Sequence, residues 1–419
     1  MQITVLGAGV AGLAVATALA QAGFRVQVLE QADAIREVGA GLQISPNGAV
    51  VLRALGVAVP ATRADAVMLR NGADGRRVLR LDLAKLRPDQ DYLFAHRADL
   101  IAALRVAALA AGAEIGLNRK VLGVDLTGDR PRLTTDDGQV TPDLLIGADG
   151  LHSLTRAALN GPETPFFTGQ VAWRALIPCD PDAPNEAEVF MGPGRHLVSY
   201  PLRGGTLRNI VAVEERATWT QESWSLRDDP TDLRRAFEAF DPKVRHWLDQ
   251  VDEVGLWGLF RHKVAETWGR ALPNGGAVIL GDAVHPTLPF LAQGASMALE
   301  DAFVLARFLV GVRDLGLTQG LTAAANPGPA RDPAVLAASN PTQSLTTYPD
   351  LASALAAYQS LRQARVTRIV QAANANARAY HLREPLRAFA HLGLRISGRL
   401  APGFALSRFD WLYGHDVTA

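Results

Sequence analysis

Cysteine is nearly absent from this chain. Cys179 is the single one among 419 residues, so no disulfide can close within the chain. A reducing, cytoplasmic setting is the expectation from that count. Net charge is absent too: 42 acidic residues face 42 basic ones. Such a balance gives no reason to expect nucleic acid or an anionic membrane surface as partner. No segment is long and apolar enough to read as a membrane span. The most apolar stretch near the start, ITVLGAGVAGLAVATALAQAGF, has no basic flank and is broken by regularly spaced glycines. It reads as a folded strand and helix instead of a signal peptide. What the chain does have is apolar content, 48% of residues, enough for a large core, and a length that predicts two or three folding units.

The apolar start carries the first motif. ITVLG predicts a buried strand, and Gly7, Gly9 and Gly12 follow at G-x-G-x-x-G spacing. A helical run then ends at Gly23, and the next strand, FRVQVLE, ends on Glu30. Strand, glycine turn, helix, strand and acid together predict a dinucleotide site. The glycines permit close approach to a pyrophosphate, the helix start attracts its charge, and the acid accepts from a ribose. Further on, RLTTDDGQV predicts a hairpin turning at Asp137-Gly138. DLLIGADG predicts a strand ending at Asp149, and GAVILGD another ending at Asp282. Residues 165–265 change character: short alternating or aromatic strands predict a second, mostly antiparallel sheet. Within it, RHLVSYPL puts His196, Val198 and Tyr200 on one face. That pair suits the gripping and deprotonation of a phenol; a packed tyrosine beside a satisfied histidine is the alternative. His262 reads as a surface or strand-end histidine. Arg362, Arg365 and Arg368, at helical spacing, read as a solvated face, and Glu300 and Asp301 as structural residues within their helix.

Several separated motifs resemble one family. They are the loop VGAGLQISPN, the Asp149-Gly150 step followed by Ser153 and Arg156, the stretch GDAVHP, the segment H-x-x-x-Y-P-L-R-G-G, and the ending WLYGHDV. Together they are similar to the single-component FAD-dependent aromatic hydroxylases, in their salicylate and 3-hydroxybenzoate hydroxylase-like branch. The resemblance implies an α/β fold: a Rossmann-like FAD-binding domain, a mostly antiparallel β-sheet substrate domain, and C-terminal helices. It implies FAD contacts from Gly7, Gly9, Ala11, Gly12, Glu30 and Gln31. Gln43 then lies beside the flavin, Arg97 against the cofactor, and Val121 among the remaining contacts. Asp149, with Ser153 and Arg156, belongs near the ribityl chain and pyrophosphate, and Asp282 accepts from ribityl hydroxyls. Gly294 and Ala295 open a helix whose backbone N–H groups face the flavin's pyrimidine edge, where reduced flavin is anionic. His196, Tyr200 and Gln293 are the residues implied to act on substrate and oxygen.

The expected domains are 1–163 with 266–312 for FAD, 164–265 for substrate, 313–349 as a flexible insertion rich in Ala, Pro, Gly, Ser and Thr, and 350–419 as a helical end. The implied reaction is hydroxylation of a small phenolic acid by way of a flavin hydroperoxide. NADH or NADPH and O₂ are the co-substrates, the chain acts as a monomer or homodimer, and no metal is involved. Alkene epoxidation and hydroxylation of an N-heteroaromatic acid are the alternatives within the chemistry. A flavin-binding regulatory protein without turnover is the alternative outside it.

Overall fold

The strand Gln2–Leu6 buries four of its five side chains, as a strand covered on both faces must. In the computed structural model, which describes residues 1–35, 40–219, 226–312 and 347–419, it lies inside a six-stranded sheet. The order is Gly269–Leu272, Gly275–Ile279, Leu144–Gly147, Gln2–Leu6, Arg25–Leu29, Glu114–Gly116. All pairings are parallel except that of the edge strand Gly269–Leu272. Leu6 is level with Leu29 and with Gly147, and Gly147 with Ile279. Those registers bring the residues after three separate strands to one carboxyl edge, where open parallel sheets bind ligands.

The helix Val10–Gln21 is rich in Ala and Leu and begins at Gly9 without a side-chain cap. Ten of its twelve residues are buried, because it packs against the sheet, the helix Arg97–Ala110 and the helix Gly294–Val310. Burial all round replaces the usual amphipathic stripe.

A second, eight-stranded sheet holds the five expected strands, including Phe166–Pro178, Arg195–Leu202 and Leu207–Glu215 at its centre. It also takes in Ala66–Asn71 and Arg77–Asp82. The Ala66–Asn71 strand pairs in parallel with Glu186–Gly192, so strands from residues 66–82, expected with the 1–163 segment, belong to the second sheet. One face of this sheet is covered by Leu233, Phe237, Phe240, Trp247 and Leu248, from two short helices and the turn between them; the other faces the first domain. A small sheet of Gly41–Ile44, Leu93–His96 and Ala61–Arg63 stands between. It is tied across by Asn209, whose Oδ1 accepts from Gly41 N at 2.8 Å. A Cβ at Gly41 would come within 2.7 Å of the Asn209 side chain, so glycine is required there. The expected hairpin is present, Arg132–Thr135 against Gly138–Val140.

The 30-residue helix Leu351–Tyr380 crosses the molecule against Gly294–Val310. It corrects the expectation of a solvated arginine face. Arg362 is 1% exposed and pairs with Glu300 and Asp301; Arg365 pairs with Glu300; the Arg368 guanidinium sits 3.8 Å over the Trp411 ring. His262 ends its strand as expected but is buried, not on the surface. The insertion expected at 313–349 lies, apart from its last three residues, outside the described residues. Among the described residues no helix is long and apolar enough to cross a membrane.

Candidate functional site

Between the two sheets lies a cavity of about 860 Å³. Its floor is the carboxyl edge of the parallel sheet, its wall the second sheet, and its roof the C-terminal helices.

The floor begins at the glycine turn, whose three glycines do different work. Gly7 has φ +94°, and a Cβ there would lie 2.5 Å from Ala148 O. A Cβ on Gly12 would lie 1.9 Å from Gly7 O. Both positions need glycine for protein packing. Gly9 is unlike them: a Cβ there meets nothing within 4 Å, and the residue lines the cavity together with Ala11. That open cradle at an uncapped helix start is a shape a pyrophosphate fits. Glu30 Oε2 accepts from Ala8 N at 2.8 Å and Oε1 from Ala32 N at 2.9 Å. Its carboxylate thus braces the glycine turn and still has lone pairs for a ribose.

Asp149 turns inward to its own helix start. It accepts from Ser153 Oγ at 2.5 Å and from Thr155 N at 3.2 Å, and burial pushes its carboxyl up. Arg156 reaches to the neighbouring motif, donating to the carbonyls of Ala283 and Val284 at 3.3 and 3.2 Å. The Asp149 and Asp282 turns are therefore fastened to each other. Asp282 itself is exposed and lines the cavity. Beside it Gly281 has φ +63°, and a Cβ there would press within 2.8 Å of Ala11 Cβ.

The helix Gly294–Val310 opens toward the cavity without a side-chain cap; Gly294 and Ala295 line the space. Gln293 immediately precedes them, and its side chain is committed to the protein. Its Nε2 donates to Ser45 Oγ at 2.8 Å and to Leu291 O at 3.3 Å, and its Oε1 accepts from Asn47 Nδ2 at 3.2 Å. Asn47 also donates to Glu300 Oε1 at 2.6 Å. Beneath it, Asp301 accepts from Gly281 N at 3.1 Å and meets His285 Nε2 at 2.5 Å and Arg362 Nε at 2.8 Å. Burial alone would raise the Asp301 carboxyl, but His285 and Arg362 outweigh it and pull the group down to about 2. This buried network holds the start of the helix and the GDAVHP turn as one piece.

On the wall, His196 and Tyr200 are 2% and 3% exposed and both line the cavity. The Tyr200 ring stacks on Phe94 with centroids 5.0 Å apart. Burial pushes its phenol up, and Arg174 and Gln43 pull it partly back. Gln43 also accepts from Tyr92 Oη at 2.7 Å. His196 rests against Phe290 and Tyr380, with ring centroids 5.6 and 5.1 Å away, and its Nδ1 is 2.7 Å from His381 Nε2. Burial holds its imidazole well below the usual histidine range, with His381 adding to the effect. The ring is neutral at physiological pH and able to accept a proton.

Gln43 and Arg97 also line the cavity, whereas Gly7, Gly12, Glu30, Gln31, Val121 and Asp149 do not. Gln31 is exposed at the end of the Arg25–Leu29 strand, and Val121 starts a strand paired with Thr135. Sequence reading missed Arg174, whose guanidinium lies 4.6 Å over Trp257, and also Tyr380 and Asn376 from the roof. Arg174 stands in a strand that reading had already assigned to the substrate side. Tyr380 ends a polar, Ala-rich helix and His381 caps it, and neither carries a local signal.

The profile of the FAD binding domain family matches residues 1–325. The 3-amino-4-hydroxybenzoate 2-monooxygenase of Streptomyces cremeus is 37% identical over 317 residues, 73% of this chain and 77% of that protein. The 3-hydroxybenzoate 6-hydroxylase of Klebsiella oxytoca is 31% identical over 433 residues, 99% of this chain and 96% of that protein. A solved salicylate hydroxylase in its substrate complex superposes with a TM-score of 0.75 at 21% identity, covering 100% of this chain and 96% of that one, a likeness of fold. With the open cradle at Gly9, the Asp282 turn and the uncapped helix at Gly294 on one sheet edge, the chain belongs to the FAD-dependent aromatic hydroxylases, in their 3-hydroxybenzoate hydroxylase-like branch.

Proposed function

We propose that this enzyme hydroxylates a small phenolic acid, with His196 as the base that ionises the phenol. The observation that carries the reading is the buried, neutral imidazole on the cavity wall, with Nδ1 engaged by His381 and Nε2 left to meet a ligand. Bound FAD would supply an electrophilic oxygen taken from O₂, with two electrons from reduced nicotinamide. Gly9 and the helix start behind it would hold the pyrophosphate, Glu30 a ribose, and Asp282 the ribityl hydroxyls. Backbone N–H groups of Gly294 and Ala295 would stabilise negative charge on the flavin.

An electrophilic oxygen reacts with an electron-rich ring, and a phenolate is far richer than a phenol. His196 Nε2 takes the phenolic proton. Tyr200 orients the oxygen from the same face, and its high pKa keeps it a hydrogen-bond donor. Arg174 offers the substrate carboxylate a cation in the same wall; its charge is what the Tyr200 phenol feels. Phe290 and Tyr380 exclude water from the reacting ring. Gln293 acts at one remove, by fixing the helix start. The sole cysteine suits a cytoplasmic enzyme, working as a monomer or homodimer. The test is a screen of hydroxybenzoates, aminohydroxybenzoates and hydroxynicotinates for stimulated NADH or NADPH oxidation, with product analysis. Stimulation by phenolic acids with a hydroxylated product is expected. Turnover of alkenes alone would overturn the reading.

A further inference from the structure

Behind His196 a line of polar groups runs out of the cavity. His196 Nδ1 is 2.7 Å from His381 Nε2, and His381 Nδ1 is 3.2 Å from Glu215 Oε1. His196 and His381 side chains are buried, whereas the Glu215 side chain is 39% exposed and its partner Arg383 73%. The line therefore starts at the substrate wall and ends in solvent. Three elements build it: the strand of His196, the neighbouring strand that ends at Glu215, and the C-terminal end of the long helix, where His381 is the capping residue.

The chemistry of the donors sets a direction. A carboxylate only accepts hydrogen bonds. If Nδ1 of His381 carries the proton, it donates to Glu215, and Nε2 is left as an acceptor. His196 must then donate from Nδ1, which leaves its Nε2 lone pair for the substrate. A competitor exists: Gln170 Nε2 lies 3.3 Å from the same His381 Nδ1 and only donates. Were Gln170 to win, both rings would invert, and His196 would present an N–H to the cavity instead of a base. The charge-assisted bond to Glu215 is the stronger of the two.

We infer that Glu215 and His381 are positioning residues that set the tautomer of His196 and carry the phenolic proton to solvent; this rests on the phenol-ionising function proposed above. The phenolic O–H breaks and a bond forms to His196 Nε2. The His196 Nδ1 proton passes to His381 Nε2, and the His381 Nδ1 proton passes to the Glu215 carboxylate and on to water. One proton leaves, a phenolate remains, and both rings end in the mirrored tautomer. The reverse passage, when product takes up a proton, resets them. Burial keeps both imidazoles neutral between transfers. Around His381, Glu215 opposes that effect while Arg195 and Arg383 reinforce it; His196 also faces the Tyr380 phenol, which burial keeps protonated, pushed up to about 12. The helix C-terminus at His381 favours positive charge in passing.

The deciding experiment is imidazole ¹⁵N NMR of the FAD-loaded enzyme, with His196→Asn and His381→Gln used to assign the two rings. Wild type is expected to show both rings protonated at Nδ1. Glu215→Ala should move both to Nε2, and Glu215→Gln, which keeps an acceptor oxygen, should restore the wild-type pattern in part. Tautomers unchanged in Glu215→Ala, or a wild-type His381 protonated at Nε2, would overturn the inference. A merely structural glutamate would not alter the protonation of a ring two links away. In turnover with 3-hydroxybenzoate, Glu215→Ala should slow hydroxylation by roughly tenfold, less than the about 10²–10⁴-fold of a group acting directly on the proton, with partial recovery in Glu215→Gln. If His196→Ala proves harmless to hydroxylation while the tautomers behave as stated, the proposed function fails and the tautomer coupling stands.

Discussion

Two buried polar networks flank the cavity, and they differ in how they end. The one under the helix Gly294–Val310 is closed. Glu300 and Asp301 are met by Arg362, Arg365, His285, Asn47 and the Gly281 amide, all inside the protein. The one behind His196 is open: its last members, Glu215 and Arg383, stand in solvent. A closed network of full charges has one arrangement, so it fixes geometry. An open line of neutral rings has two tautomeric arrangements, so it is suited to transmit a proton. Under the proposed function, the cofactor side needs the first property and the substrate side the second.

Breaking the closed network should have the largest effect. Arg362→Met removes the cation that bonds both buried carboxylates, leaving Arg365 and His285 to compensate alone. Loss of one member of a buried ion pair typically costs about 3–5 kcal/mol, read by urea denaturation, and flavin content should fall with it. The pH dependence has a definite sign. The folded Asp301 carboxyl sits at about 2 against an ordinary 3.8, so its contribution is present above about pH 4 and is lost as pH falls toward 2. In Arg362→Met the loss should begin at higher pH. A variant as acid-resistant and stable as wild type would mean that the network does not fix the buried carboxylates.

The open line should break differently. His196→Ala leaves the buried His381 nitrogen unpaired, at a cost of about 1–3 kcal/mol, but it is expected to retain flavin, to keep consuming reduced nicotinamide, and to lose about 10²–10⁴-fold in hydroxylation. Oxygen should leave as hydrogen peroxide instead. The check is product formed per reduced nicotinamide consumed, with flavin absorbance as control. Unchanged coupling would remove His196 from the chemistry and favour a substrate that needs no phenolate.

Gln293→Ala tests which network that residue serves. Its amide bonds Ser45, Leu291 and Asn47, so truncation leaves buried partners unsatisfied, at a cost of about 1–3 kcal/mol. Weaker flavin retention with coupling preserved is expected of a residue that holds the helix start. Intact flavin binding with coupling lost would instead assign it to substrate or oxygen.

Sequence made the two networks unequally visible. The glycine turn and the strand-ending acids are local signals: spacing and a preceding apolar run suffice, and the sheet registers put Gly7, Glu30, Asp149 and Asp282 at one edge. His196 and Tyr200 were legible from two-residue periodicity. Arg362 was misread because helical spacing says which residues share a face, not what that face meets. A signal was present in Glu300-Asp301, two adjacent acids inside an apolar helix, which demand cations from elsewhere. His381 had no signal at all. Its partner lies 185 positions earlier in the chain, and only the packing of the long helix end on the sheet brings them together.

The smallest effect is expected at the solvent end of the open line, and it sharpens the comparison most. Arg383 bonds Glu215 Oε2 at 3.0 Å with its side chain 73% exposed. Exposed pairs of this kind contribute about 0–1 kcal/mol, so Arg383→Ala should scarcely shift the denaturation midpoint. Arg365→Ala, at the closed network, should cost several times more, because its partner Glu300 is fully buried. Removing Arg383 also takes away one of the cations that hold the His381 imidazole down. The acid limb of hydroxylation against pH should therefore move slightly upward, toward the ordinary histidine range, with coupling at neutral pH unchanged. Salt should have little effect on the closed network and should mimic the Arg383 substitution at the open one, since screening reaches only charges in contact with solvent. A loss of stability in Arg383→Ala as large as in Arg365→Ala would mean that the outer end is packed and closed as well, and the distinction between a holding network and a transmitting one would collapse.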